Sequence, residues 1–291
     1  MHDGEVDISE ALVRQLLVAQ FPQWSDLLLT EVHSTGTVNA IYRLGNDLCV
    51  RLPRVARMAG DLEKELEWLP RLAGQVHVTV PFPVGRGEAE FGYPFTWAVY
   101  RWIDGGTFVT DGSKNELDLA IDLAQFVREL RAVDPAGAPP SGRLPLRQLD
   151  QATRWAIGFL HDVVDTGAVS AAWEVSLAAA EWNGVSCWRH CDLLPPNLLV
   201  EGGRLKAVID FGSAGIGDPA LDVIAAWSVF AEEGRLAFRE GLGVDEGTWT
   251  RARGFALHQA VFIMQYYPKS NPGFVTMAHR TVDQVLGDMG M

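Results

Sequence analysis

The spacing of apolar residues changes within the first third of the chain. Leu12, Leu16 and Ala19 share one face at a helical period, with Asp7 placed to cap that helix. The residues that follow alternate in short β-rich runs, and the turn signal Gly45-Asn46-Asp47 predicts a hairpin. The predicted elements are a helix over residues 6–21, strands over 37–44 and 48–52, a helix over 59–73 and a strand over 97–102. This third is therefore predicted to be α+β, with an antiparallel sheet.

Beyond residue 104 the pattern becomes mainly helical. Leu119, Leu123 and Phe126 recur on one helical stripe, and strands return only around the turn Glu201-Gly202-Gly203. The predicted helices cover residues 115–134, 147–165, 169–182, 246–266 and 273–287, with another opened by Asp218-Pro219. We therefore predict two domains, residues 1–103 and residues 104–291.

Composition and charge narrow the class of protein. The 291 residues are 48% hydrophobic and 21% charged, as in an ordinary globular protein, and no apolar run predicts a membrane span. The first residues lack the pattern of a signal peptide, and Cys49, Cys187 and Cys191 lack framework spacing, so a cytoplasmic location is expected. The net charge of −13 argues against a nucleic-acid partner and is compatible with a cationic small molecule. The oligomeric state is left open.

The clearest chemical signal follows Trp188. His190, Asp192 and Asn197 have the spacing His-x-Asp-x4-Asn, and Asp210 begins Asp-Phe-Gly. Phosphoryl transfer from ATP needs a carboxylate for the acceptor hydroxyl, and an amide oxygen and a second carboxylate to hold Mg²⁺. The order of these residues is that of kinases. We therefore expect Asp192 to be catalytic, Asn197 and Asp210 to bind magnesium, and a buried His190 to brace the loop. The expected cofactors are ATP and Mg²⁺.

Two strands separate the expected magnesium ligands. Asn197 precedes the run 198–200, and Asp210 follows the run 205–209. If these runs form a hairpin, its open end brings the two side chains close together.

Groups for the phosphates are expected in the first third. Ser34 and Gly36 lie in a loop between strands, where backbone N–H groups can approach a phosphate. Arg51 stands where a kinase places its phosphate-holding lysine, and Glu65 on the next helix is placed to pair with it. The alternative is that Arg51 and Glu65 are ordinary surface charges.

Taken together, these segments resemble the aminoglycoside phosphotransferase family of small-molecule kinases over nearly the full length. The segments that carry the resemblance are Ser34-Thr35-Gly36-Thr37-Val38-Asn39, Leu52-Pro53-Arg54, Glu65 with Trp68-Leu69-Pro70, Tyr100-Arg101-Trp102, His190 to Asn197, Ile209-Asp210-Phe211-Gly212 and Gly217-Asp218-Pro219-Ala220-Leu221-Asp222. The resemblance implies a bilobal protein-kinase-like fold, with a small N-terminal lobe of antiparallel sheet and one main helix, and a larger, mainly helical C-terminal lobe.

The resemblance also implies roles for individual residues. Arg51 would be the phosphate-binding cation, Tyr100 and Trp102 would line an adenine pocket, and Asp222 would brace the catalytic loop. The chain departs from the family in having Cys191 where glycine is usual and Arg51 where lysine is usual. Macrolide kinases look similar in using an Arg-x-Pro-Arg type segment at the position of Arg51. The class of antibiotic is therefore left open.

The expected activity is transfer of the γ-phosphate of ATP to a hydroxyl of a small molecule, first of all an aminoglycoside-like antibiotic. Alternatives are a kinase of a macrolide, sugar, amino alcohol or other metabolite on the same fold, and a nucleotide-binding module without catalysis. No substrate-binding residue follows from the sequence. The acidic candidates Asp162, Asp165, Glu232 and Glu233 fit solvated helix surfaces better than ligand contacts.

Overall fold

The computed structural model describes residues 5–32, 39–108 and 115–291, excluding the side chain of Asn115. These residues form two compact units. The first takes in the described residues up to Gly105 together with Ala207–Gly212, and the second takes in Gly106–Lys206 and Ser213–Met291, as far as they are described. The chain thus leaves the first unit at Gly105 and returns to it for the segment that contains Asp210.

The first unit combines an antiparallel sheet with α-helices. Its elements are α1 (Glu10–Gln20), β1 (Leu29–Glu31), β2 (Asn39–Leu44), β3 (Leu48–Pro53), α2 (Ala56–Leu72), β4 (Pro83–Gly87) and β5 (Trp97–Arg101). The strand order is β1-β2-β3-β5-β4, and every pairing is antiparallel. The predicted hairpin is confirmed, because Leu44 pairs with Leu48 across the turn. The predicted cap of α1 is wrong: Ser9, not Asp7, accepts the hydrogen bond from the backbone N–H of Leu12.

Alternation along β2 explains the core of this unit. Ala40, Tyr42 and Leu44 point inward and are almost completely buried, and they belong to the same apolar cluster as Leu16 and Leu17 of α1. Burial of these side chains stabilises the sheet by roughly 1.5–3 kcal/mol for each large residue. The hydroxyl of Tyr42 is satisfied within this core by donating to the carbonyl of Ile8 at 3.0 Å.

The second unit is mainly helical, with two small sheets. Its elements are β6 (Gly106–Thr107), α3 (Asn115–Ala132), α4 (Leu146–Gly158), α5 (Thr166–Leu177), β7 (Cys187–Arg189), β8 (Leu198–Glu201), β9 (Arg204–Val208), β10 (Gly215–Gly217), α6 (Ala220–Val223), α7 (Ala225–Ser228), α8 (Glu232–Leu242), α9 (Glu246–Tyr266) and α10 (Pro272–Asp288). The sheets have the orders β6-β8-β9 and β10-β7. The hairpin predicted after Asn197 is therefore confirmed. The last two residues of β9, Ala207 and Val208, belong to the first unit.

The helix boundaries show where local signals are sufficient. Asp245 caps α9, which runs over the predicted residues, whereas α4 ends at Gly158, seven residues before the predicted end.

Helix α8 was not predicted. It contains Gly234 and Gly241, which weaken a helical pattern, and a Cβ at Gly241 would lie 2.8 Å from the Cβ of Ala124 on α3. That glycine is therefore explained by the close packing of two helices.

Helix α9 is the centre of the second unit. It packs against α4, α5, α6 and α10, and its buried face includes Trp249, Phe255, Leu257 and Val261. Within the described residues, no helix is both long enough and apolar enough for a bilayer crossing.

Candidate active site

The loop that follows β7 is held by a buried carboxylate. Asp222 on α6 is fully buried, and its two oxygens accept hydrogen bonds from the backbone N–H groups of His190 (3.1 Å) and Cys191 (2.8 Å). His190 is also fully buried, and its Nδ1 accepts from the backbone N–H of Asp192 at 3.3 Å. Because Nδ1 is an acceptor here, it carries no proton. The side chains of Asp222 and His190 therefore fix the backbone of residues 190–192.

Cys191 has a backbone conformation that favours glycine. Its φ of 65° lies in the left-handed region, which costs a non-glycine residue roughly 1–2 kcal/mol. The side chain is 1% exposed, and burial raises the pKa of its thiol to about 12. The thiol is therefore a protonated packing group at neutral pH. The hydrogen bonds from the backbone N–H groups of His190 and Cys191 to Asp222 hold the strained backbone in this conformation.

The carboxylate of Asp192 is held by two amides. Nδ2 of Asn197 donates to Oδ2 at 3.0 Å and to the backbone carbonyl of Asp192 at 2.9 Å, and Nε2 of Gln259 on α9 donates to Oδ1 at 3.1 Å. The two amides therefore hold both oxygens of the carboxylate.

Gln259 was not predicted as a site residue. A signal for it is present in the sequence, because His258 and Gln259 interrupt the long apolar run from Ala256 to Tyr267. Two adjacent polar residues in a mostly apolar run need partners, and their partners lie on other segments of the chain. His258 bonds to Thr153 on α4 through Nδ1 at 2.8 Å.

Asn197 ends a short 3-10 turn, Pro195–Asn197, just before β8. Its amide nitrogen is directed at Asp192, so its amide oxygen faces the other way. A neutral amide oxygen in this orientation suits a hard cation such as Mg²⁺, which prefers oxygen ligands and few of them from the protein. The donor chemistry of Asn197 therefore fits the predicted metal role.

In the first unit, Arg51 joins three polar side chains. Its Nη1 lies 2.6 Å from Oε2 of Glu65, and its Nη2 lies 3.1 Å from Oδ1 of Asp210. With the amide of Asn39 oriented by its hydrogen bonds, the amide oxygen accepts from Nε (3.2 Å) and Nη2 (3.0 Å) of Arg51. Glu65 has a fully buried side chain, and Tyr100 donates its hydroxyl to the same Oε2 at 3.1 Å. Arg51 and Glu65 are therefore a buried ion pair and not two surface charges.

Burial and charge act in opposite directions on the pKa values of Arg51 and Glu65. Burial alone would lower the pKa of Arg51, but the carboxylates of Glu65 and Asp210 raise it above its ordinary value. Burial raises the pKa of Glu65, and the positive charge of Arg51 opposes that rise. Since arginine stays protonated at any physiological pH, the carboxylate beside it keeps a permanent counter-ion.

Asp210 follows β9 with its side chain 47% exposed. Its φ of 66° is also in the left-handed region, so it and Cys191 are two of three non-glycine residues with positive φ in the described part of the chain. Strained backbone at two motif positions is typical of functional sites. One carboxylate oxygen binds Arg51, and an exposed carboxylate is a suitable magnesium ligand. Across the described residues, no group of three or more His, Cys, Asp or Glu side chains could hold a metal ion.

The other expected nucleotide-binding residues are placed as follows. Ser34 and Gly36 lie outside the described residues. Tyr100 is 3% exposed in β5 and bonds to Glu65. Trp102 follows β5, where its indole donates to Asp104 at 2.8 Å and the guanidinium of Arg43 stacks 4.2 Å from its ring. Their part in binding adenine stays a prediction.

The segment after Asp-Phe-Gly has a packing role that its sequence did not reveal. Gly217 has a φ of 150°, which side chains rarely allow, and a Cβ there would lie 2.2 Å from Nη2 of the buried Arg189, so this position favours glycine. Asp218 forms a two-bond ion pair with Arg251 on α9, at 2.8 and 3.1 Å. This buried pair attaches α9 to the segment that precedes Asp222, and so to the same loop that carries Asp192.

Arg143 is a further residue that the sequence did not single out. Its Nη2 donates to the hydroxyl of Ser213 at 3.0 Å and lies 3.5 Å from the carbonyl oxygen of Cys191.

Burial, and secondarily the charge of Arg143, lowers the pKa of His258 to about 4. His258 is therefore neutral at pH 7, next to Gln259.

Comparison with known proteins gives a consistent result. A family model described as the phosphotransferase enzyme family, APH, matches residues 30–255. The uncharacterized protein YcbJ of Bacillus subtilis (strain 168) is 26% identical over 159 residues, which are 53% of this chain and 50% of that protein. The chain thus matches half the length of this curated relative.

Two solved structures illustrate the shared fold. The enzyme APH(2'')-IIIa, solved with GDP and kanamycin, matches with a TM-score of 0.70 and 21% identity, over 95% of this chain and 98% of that one. The macrolide 2'-phosphotransferase MphH from Brachybacterium faecium matches with a TM-score of 0.59 and 24% identity, over 94% and 98% of the two chains. The predicted kinase-like fold, with a sheet-containing N-terminal lobe and a helical C-terminal lobe, is confirmed. The chain therefore belongs to the phosphotransferase enzyme family, and the prediction that it is a small-molecule O-phosphotransferase is confirmed at the level of that family.

Proposed function

We infer that the protein is an ATP- and Mg²⁺-dependent kinase that phosphorylates a hydroxyl group of a small molecule. The observation that carries this inference is the arrangement of Asp192. Its carboxylate is held by the amides of Asn197 and Gln259, through a hydrogen bond to each of its oxygens. A carboxylate held in this way is suited to orienting a hydroxyl and accepting its proton.

At the acceptor, Asp192 receives a hydrogen bond from the reacting hydroxyl and directs its oxygen at the γ-phosphate. Transfer is direct and in line: the bond from the hydroxyl oxygen to the γ-phosphorus forms as the bond from that phosphorus to the bridging oxygen breaks and ADP leaves, and the hydroxyl proton passes to the carboxylate. Positioning of this kind contributes roughly 10²–10⁴-fold to the rate.

At the nucleotide, Arg51 supplies the positive charge for the phosphates, and Glu65 fixes the direction of its guanidinium. Asp210 and Asn197 are the residues proposed to hold Mg²⁺, which when bound supplies positive charge to the phosphate oxygens. Residues 99–103, with Tyr100 and Trp102, are proposed to bind the adenine. The backbone around Ser34 and Gly36 is proposed to donate to the phosphates.

The acceptor class is proposed from similarity and charge. A structure similar to this chain was solved with kanamycin, and the net charge of −13 suits a cationic acceptor. We therefore place an aminoglycoside-like compound first. A macrolide is the second candidate, because another similar structure is a macrolide 2'-phosphotransferase and Arg51 replaces the usual lysine. A cytoplasmic location is proposed on the ground that Cys49, Cys187 and Cys191 are all free thiols.

An acceptor panel tests this function. Wild-type protein is incubated with ATP and Mg²⁺ and with aminoglycosides, macrolides, sugars and amino alcohols, and each acceptor is examined by mass spectrometry for an added phosphate. Phosphate on any of them, lost in Asp192→Asn, supports the function. Nucleotide binding with no Asp192-dependent turnover of ATP would instead favour a module without catalysis.

A further inference from the structure

Gln259 occupies an unusual place on α9. It is partly buried, and the residues around it on the helix, Leu257, Ala260 and Val261, belong to the apolar core. Its Nε2 reaches Oδ1 of Asp192, which is 67 residues away along the chain, at 3.1 Å. A polar side chain among apolar neighbours that reaches the loop carrying Asp192 calls for an explanation in terms of that loop.

We propose that Gln259 is a positioning residue that fixes the carboxylate plane of Asp192 for the acceptor hydroxyl, an inference that rests on the proposed function. An aspartate has two side-chain torsions, and its terminal torsion is broad, so one hydrogen bond leaves the plane free to turn. Asn197 holds Oδ2 and Gln259 holds Oδ1. With both oxygens held, the plane of the carboxylate is defined, which is what orientation of a reacting group requires.

The helix that carries Gln259 is itself anchored on both sides. Arg251, two turns earlier on α9, forms the two-bond ion pair with Asp218. His258 bonds to Thr153 on α4, whose hydroxyl donates to the carbonyl of Leu149 at 2.8 Å. Because the single hydroxyl proton of Thr153 is used there, Nδ1 of His258 is the donor in the His258–Thr153 bond. A side chain on a helix fixed in this way is placed more accurately than one on a loop.

The test compares the same substitution at two glutamines of α9. Gln259→Leu removes the donor and keeps the approximate size, and Gln265→Leu makes the same chemical change six residues further along the helix. The substrates are ATP, Mg²⁺ and water, so that release of ADP is measured without knowledge of the natural acceptor, and the acceptor panel is added. We expect Gln259→Leu to lower kcat by roughly 10- to 100-fold, as for loss of a hydrogen bond to a charged group, with the KM for ATP unchanged. Gln265→Leu should match the wild type.

A second variant separates positioning from packing. Gln259→Glu keeps the shape but offers Asp192 an ionised carboxylate, which accepts hydrogen bonds and cannot donate one. Its kcat should therefore fall at least as far as that of Gln259→Leu with the KM for ATP unchanged, an effect that loss of packing alone does not produce. Wild-type kcat in Gln259→Leu or in Gln259→Glu, or an equal loss in both leucine variants, would overturn the inference. Equal ADP release by wild type and Asp192→Asn would instead reject the proposed function, and the inference with it.

Discussion

Arg51 and Glu65 form an ion pair at 2.6 Å in which the carboxylate is fully buried and the guanidinium side chain is 15% exposed. The pair exists because β3 is an inner strand of the sheet. Arg51 lies opposite Ile41 on one side and the small Ala98 on the other, and Glu65 falls on the buried face of α2. A charge placed there needs a partner, since an uncompensated buried charge is costly.

Glu65→Ala is expected to destabilise the protein strongly. It leaves Arg51 without its nearest counter-ion and removes the acceptor of the Tyr100 hydroxyl, so we expect a loss of about 3–5 kcal/mol in the free energy of unfolding. Urea denaturation measures this. The control is Glu67→Ala, which breaks the exposed pair between Glu67 and Arg71 on the same helix and should cost less than about 1 kcal/mol. Similar losses in the two variants would mean that the buried pair has no special weight.

Cys191 offers a test of backbone strain in the loop that carries Asp192. At a φ of 65°, Cys191→Gly removes a steric cost of roughly 1–2 kcal/mol but also a buried side chain, so its stability should stay close to that of the wild type. Cys191→Val puts a β-branched residue in the same conformation and should be clearly less stable and less active. Thermal unfolding and ADP release measure both variants. If valine were tolerated as well as glycine, the left-handed conformation would not be what constrains this position.

His258 should make the stability depend on pH. Its pKa falls from an ordinary 6.5 to about 4 in the folded protein, through burial first and the charge of Arg143 second. The unfolded chain therefore binds a proton at a higher pH than the folded one. The contribution of His258 is complete above about pH 6.5 and is lost as the pH falls toward 4, by at most about 1.4 kcal/mol per pH unit.

This pH dependence is measured by urea unfolding at about pH 7 and about pH 5.5. Between these values the wild type should lose about 1 kcal/mol more than His258→Asn, which cannot take up the proton. Parallel losses in the two proteins would show that other groups cause the acid sensitivity.

Several features followed from the sequence because their signals are local. The turn Gly45-Asn46-Asp47 specifies the β2–β3 hairpin, and Asp245 fixes the start of α9. The order of Asp192, Asn197 and Asp210 along the chain identified the family, since it repeats the chemical requirements of phosphoryl transfer.

Other features could not be predicted because they depend on segments distant in sequence. The bond between Gln259 and Asp192 spans 67 residues, and the pair of Arg251 with Asp218 spans 33. Helix α8 was missed because Gly241 lowers helix propensity. The reason for that glycine is the close packing of α8 against α3, which the sequence does not show. Only the packed structure shows which of these polar residues and glycines meet.

The account depends most on Asp192 as the group that orients the acceptor hydroxyl. The direct measurement is ADP release from ATP and Mg²⁺ by wild type and Asp192→Asn with the same acceptor, together with the affinity of each for ATP. We predict that turnover falls by roughly 10²–10⁴-fold in the variant while the affinity for ATP stays within a few-fold of wild type. Wild-type turnover in Asp192→Asn would contradict the account.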